Sequence, residues 1–253
     1  MLNKRLKNLA IVGCSYSHWR DGGCLNESYP AIIAQRFPNY NVIDLSMCGD
    51  SNEAAYYKIK KAEEFFGIKF DKIIWQITHF YRKFYLTEGY GSYQSFNFMQ
   101  KGNYIYTNGE YADQFNQTYF VPLQSWMAED VKKHWANKFM KMIENKLGLN
   151  KKNIFYILEN HSGHWHVQKT IDLLNARYGK ENVLMFGWHK NFHYDSNRDK
   201  LKMEENFIGC IEDHIGTDRF WKLGVDDAPH YNAKGHKHVW KIISPDVERL
   251  LER

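Results

Sequence analysis

At 253 residues, with 43% apolar and 25% charged side chains, the chain is long enough for a well-filled α/β core and has none of the composition of a disordered or fibrous protein. Its net charge of +5 is spread along the length without a basic block, so nothing in it resembles a nucleic-acid-tracking surface. No stretch approaches the roughly 20 apolar residues of a membrane span, and Leu9–Val12, after Lys4, Arg5 and Lys7, is too short for a secretory h-region; the expectation is a cytoplasmic chain with no membrane partner.

Four cysteines, Cys14, Cys24, Cys48 and Cys210, form no C-x-x-C pair and no zinc spacing, which fits a reduced protein. Leu9-Ala10-Ile11-Val12 reads as a first buried strand that stops at the small-residue turn Gly13-Cys14-Ser15. Ser28 is placed to cap a helix from Tyr29 to Phe37, which Pro38 ends. Asn41 to Leu45 reads as a second strand, again followed by a glycine turn at Gly49, and Ser51 or Asn52 can cap the amphipathic helix Glu53 to Phe66.

The run Lys72-Ile73-Ile74-Trp75-Gln76-Ile77-Thr78 is nearly all apolar, as a parallel strand covered on both faces requires. Residues 80–130 are rich in Tyr, Phe, Asn, Gln and Gly, have no sustained helical period before Gln124, and read as an insertion or lid. Beyond it, Trp126 to Leu147 predicts a long helix, Asn153 to Leu158 a fourth strand, Val167 to Tyr178 a helix and Val183 to Phe186 a fifth strand. A further helix is predicted around Leu201 to Phe207, and a final one from Asn232 to Leu251, bent near Pro245. The alternation implies a single domain over residues 1–253 with a mostly parallel sheet and helices on both faces.

In such a sheet the loops after the strands gather at one edge, where ligands bind. Ser15, Gly49, Thr78, His79, His161, His164, His166 and His189 fall on those loops. A serine nucleophile needs a base, and an aspartate to orient that base. Asp227-Ala228-Pro229-His230 provides both across one turn, and the amides of Ser15 and Gly49 lie on turns suited to binding an oxyanion. Cys14, beside Ser15, reads as a small buried residue whose side chain points the other way. His161-Ser162-Gly163-His164-Trp165-His166 lacks a carboxylate at helical spacing and reads as substrate-lining or loop histidines rather than a metal site. His236 and His238 read as packing or surface residues of the final helix, and Gly89-Tyr90-Gly91-Ser92 follows no βαβ unit and is not a nucleotide fingerprint.

Gly13-x-Ser15 after strand one, Gly49 after strand two, and Asp227-x-x-His230 followed by Asn232 and Gly235-His236 together resemble the blocks of the SGNH, or GDSL-like, hydrolase superfamily. The resemblance implies a flavodoxin-like three-layer α/β/α sandwich with a mostly parallel five-stranded sheet and a large insertion after strand three. It implies a Ser15 nucleophile, His230 as base, Asp227 as its orienter and the Ser15 and Gly49 amides in the oxyanion hole. Cys14 replaces the family's usual aspartate. The third block, usually Gly-x-Asn-Asp, is here Thr78-His79-Phe80-Tyr81, so the asparagine donor is absent and the Thr78 hydroxyl is its partial substitute. His79, Arg82, His161, His164 and His189 would line the substrate.

The implied activity is hydrolysis of an O-acyl ester, foremost an O-acetyl group on a carbohydrate or other small alcohol, with no metal and no cofactor. Two alternatives stay open: a binding or structural protein that keeps the fold without the chemistry, and acyl transfer by the same triad. The sequence carries no sign of the oligomeric state.

Overall fold

A computed structural model describes residues 3, 5–14, 17, 25–46, 52–78, 98–107, 163–187, 205–215, 224–225 and 228–253. A seven-stranded sheet is built from β1 (Lys7–Val12), β2 (Tyr40–Asp44), β3 (Lys72–Ile77), β4 (Phe98–Lys101), β5 (Tyr104–Thr107), β6 (Val183–Gly187) and β7 (Phe207–Cys210), in the order β4-β5-β2-β1-β3-β6-β7. All neighbours pair in parallel except β4 with β5. The helices are α1 (Tyr29–Arg36), α2 (Asn52–Phe66), α3 (Gly163–Tyr178), the short α4 (Ile211–Ile215) and α5 (Ala233–Leu251). A separate two-stranded ribbon pairs β8 (Gly224–Val225) with β9 (Ala228–Tyr231).

Period-two alternation sorts the strands onto two cores. Leu9 and Ile11, Tyr40 and Val42, Ile74, Tyr104 and Tyr106, and Leu184 and Phe186 face one side, where they meet α1 and α5. Ala10 and Val12, Ile43, Ile73, Trp75 and Ile77, Ile105, and Val183 and Met185 face the other, against α2 and α3. Burying both faces explains why β2 and β3 are buried at every position.

The helix starts follow local chemistry. Ser28 is the N-cap of α1 and accepts from the Ala31 amide at 3.4 Å, with Pro30 in the first turn. Asn232 caps α5 by accepting from the Gly235 amide at 2.9 Å. Pro245 lies inside α5, which runs unbroken from Ala233 to Leu251, and the Ser244 hydroxyl donates at 3.5 Å to the Lys241 carbonyl that Pro245 has no N–H to satisfy.

The layered α/β/α class agrees with the expectation, and β2-β1-β3-β6-β7 reproduces the flavodoxin-like strand order. Two expectations are corrected. Among the described residues the main sheet has seven strands where five were expected: beside β1, β2, β3 and β6 it holds β4 and β5, a hairpin inside the stretch read as an insertion or lid that continues the sheet beyond β2, and β7 at the other edge. Phe207 opens a strand rather than closing a helix, since β7 pairs with β6. Asn52 is the first residue of α2, and its carboxamide bonds to Thr78. The helix over 126–147 and the strand over 153–158 lie outside the described residues.

Candidate active site

Because β1, β2 and β3 are parallel, their carboxyl ends open at one edge, and β1 lies where the strand order reverses between β2 and β3. That reversal is where open α/β sheets hold ligands. Helix α1 starts at this edge and α5 does too: the His236 ring reaches the first amide of α1, whereas the far end of α5 meets the start of β2 through a 3.0 Å bond from the Tyr40 hydroxyl to the Leu251 carbonyl.

The turn after β1 is tightly bound on its described side. The Ser17 amide returns to the Cys14 carbonyl at 2.9 Å. The Ser17 hydroxyl donates to Gln76 Oε1 at 2.6 Å and accepts from the Tyr29 hydroxyl at 2.6 Å. Cys14 Sγ, fully buried, donates to the same Gln76 oxygen at 3.6 Å, so the reading of Cys14 as a small buried residue holds. Burial raises the Tyr29 phenol well above its ordinary value, although the bond to Ser17 opposes the shift; it remains a protonated donor.

Gly13 makes these contacts possible. A Cβ there would collide with the Ser17 hydroxyl and lie 2.9 Å from Gln76 Oε1 and 3.0 Å from Gln76 Cβ. Ser17, Tyr29 and Gln76 were not singled out by the sequence reading. The available signal was Gln76 itself, a polar residue at an inward position of an otherwise apolar strand.

Thr78 follows β3 and is buried. Its amide donates to Asn52 Oδ1 at 2.8 Å and its carbonyl accepts from Asn52 Nδ2 at 2.9 Å. Any oxyanion role for Thr78 therefore rests on its hydroxyl, because its amide hydrogen goes to Asn52. His236 is fully buried and His238 is exposed, as packing and surface residues of α5 should be. For His230 and His164 only the backbone is described, in β9 and α3 respectively. Ser15, Gly49, His79, Arg82, His161, His189 and Asp227 lie outside the described residues. Among the described residues no group of three His, Cys, Asp or Glu side chains could hold a metal, and no helix is long and apolar enough to cross a membrane.

Asp44, at the end of β2, is a buried carboxyl on the α1 side of the sheet. Burial pushes it up to about 6, opposed by bonds from Ser46 and Tyr104 and by the charge of Lys58. The Ser46 amide donates to it at 2.9 Å and the Tyr104 hydroxyl at 2.9 Å, while Lys58 Nζ donates to the Leu45 carbonyl at 2.9 Å. Its folded value exceeds the ordinary 3.8, so the folded state binds this proton more tightly and stability from this group rises as pH falls from about 6 toward 4. The difference amounts to about 3 kcal/mol at neutral pH. Asp44→Asn removes that slope, so the stability difference between variant and parent should shift in the variant's favour on going from pH 4.5 to pH 7. Urea midpoints at the two pH values read it; a difference independent of pH contradicts the prediction.

No protein-family profile and no curated protein sequence matches the chain. Among solved structures, the crystal structure of TesA matches with a TM-score of 0.50 and 10% identity over 96% of this chain and 99% of TesA. The psychrotrophic esterase EstA from Pseudoalteromonas sp., in a structure inhibited by monoethylphosphonate, matches with a TM-score of 0.49 and 10% identity over 98% of this chain and 100% of EstA. At this identity the TesA likeness shows the fold alone: the chain has a three-layer α/β/α sandwich.

Proposed function

We propose that the chain is a serine esterase that hydrolyses an O-acyl ester, foremost an O-acetyl group on a carbohydrate or other small alcohol. One observation carries the reading. Hydrogen bonds from α5 through α1 to Ser17 join the block that follows His230 to the residues flanking Ser15, at the sheet edge where such folds bind ligands.

In this reading the Ser15 hydroxyl attacks the ester carbonyl while His230 takes its proton, and Asp227 holds the imidazole in the tautomer that can do so. Negative charge develops on the carbonyl oxygen, which the Ser15 and Gly49 amides and the Thr78 hydroxyl stabilise. Collapse expels the alcohol, which takes the proton from His230 and leaves an acyl-serine. A water deprotonated by His230 then releases the acid and restores Ser15. His79, Arg82, His161, His164 and His189 would line the pocket for the alcohol portion.

Loss of one oxyanion donor typically lowers turnover by about 10² to 10³. Without the asparagine of the third block, turnover should be slow. The test is hydrolysis of p-nitrophenyl acetate together with labelling by a fluorophosphonate probe. Parent protein should do both, and Ser15→Ala and His230→Ala should each lower kcat by about 10³ or more. Equal activity in parent and variants would refute the assignment. An intact fold with neither labelling nor turnover would favour a binding protein, and product appearing only with an added alcohol acceptor would favour acyl transfer.

A further inference from the structure

The bonds around Ser17 form part of a longer buried chain that joins α5, α1, the turn after β1 and β3. It begins on α5, where His236 Nδ1 accepts from the Tyr29 amide at 3.3 Å. Tyr29 continues it from the other end of the residue, its hydroxyl donating to Ser17 Oγ, and Ser17 donates in turn to Gln76 Oε1 on β3, both at 2.6 Å. His236, Tyr29 and Ser17 are fully buried and Gln76 is 1% exposed.

The two ends of the chain border, in sequence, the two reacting residues of the proposed esterase. Tyr231, the neighbour of His230, packs edge-on against His236 with ring centres 5.7 Å apart. Cys14 and Ser17, which bracket Ser15, both donate to Gln76 Oε1. With Oε1 so engaged, the carboxamide orientation is defined, and Gln76 Nε2 has no partner among the described residues.

Apolar side chains of similar size would fill this space at lower cost, since a buried polar group is tolerated only when it is bonded. What directional bonds add is a defined distance. A misplacement of about 1 Å between nucleophile and base is enough to lower a rate by about 10². We propose that His236, Tyr29, Ser17 and Gln76 form a positioning strut that sets the spacing between Ser15 and His230. The strut rests on the esterase reading above and adds to it four residues that do not touch the substrate.

The experiment compares parent, Tyr29→Phe, Ser17→Ala and the double variant. Tyr29→Phe keeps the ring and removes only the bond to Ser17. Two readouts are needed: the limiting rate of fluorophosphonate labelling at saturating probe, and kcat and KM for p-nitrophenyl acetate. Each single variant should lose about tenfold in labelling rate and kcat with KM little changed. The double variant should lose no more than the worse single, because both substitutions cut one chain. A purely structural role would shift the thermal midpoint without moving the limiting labelling rate. Should Tyr29→Phe fail to fold, Ser17→Ala decides by the same readouts. Variants that label and turn over like an active parent overturn the strut alone; a folded parent that neither labels nor turns over overturns the esterase reading and the strut with it.

Discussion

Gly13→Ala is expected to destabilise the protein by about 3 kcal/mol and, under the proposed esterase reading, to depress turnover well beyond what the added methyl suggests. The cause is close approach rather than backbone conformation. The new Cβ would occupy the space where Ser17 Oγ and the Gln76 side chain meet, with Gln76 Cβ only 3.0 Å away. Gln76 cannot retreat at Cβ, because its strand is held by β6, where Gln76 pairs with Phe186, and by β1 up to Trp75. Ser17 has to yield, breaking its bonds to Tyr29 and Gln76 and leaving both groups buried without that partner. Chemical denaturation measures the loss. Placing Ser17→Ala in the Gly13→Ala background removes the hydroxyl that collides, so the double variant should be less destabilised than the sum of the two singles. Strict additivity would show that the collision lies elsewhere.

The fold was legible in the sequence wherever burial leaves a period. β3 reads directly because both its faces are covered, and α1 because Ser28, Pro30 and Pro38 mark its ends chemically. β4 was missed for the opposite reason: it is a four-residue edge strand exposed at most positions, so its composition resembles a loop. β7 was misread because Met203 and Phe207 are spaced i,i+4, like one face of a helix, while the pairing with β6 that makes Phe207 a strand residue is not local.

The candidate site divides along the same line. Ser15, Gly49 and the Asp227/His230 block are recognisable because each belongs to a short contiguous motif. The residues that connect them are not: Ser17 bonds to a partner 59 positions away, and Tyr29 to one 207 positions away. Only the inward register of Gln76 and Asp44, polar residues closing apolar strands, hinted that a polar layer lies under the carboxyl edge.

Asn52→Ala should cost about 3 kcal/mol, a large effect for a residue at the start of a helix. Among the described residues β1 pairs with β3 as far as Val12 with Trp75, three positions short of Thr78. Asn52 bonds to the Thr78 backbone from the start of α2. Its carboxamide offers one acceptor and one donor in the same plane, and it pairs with the Thr78 amide at 2.8 Å and carbonyl at 2.9 Å as a strand residue would. Alanine removes one bond from each of these buried backbone groups, a loss worth about 1–3 kcal/mol apiece. An ordinary cap deletion costs about 1 kcal/mol, so the size of the loss separates the two roles. Under the proposed esterase reading the same variant should lower kcat more than it raises KM, because Thr78 and the start of α2 are held together by this pair. Denaturant midpoints and steady-state kinetics on one preparation test both parts; a loss near 1 kcal/mol with unchanged kcat would return Asn52 to the role of a simple cap.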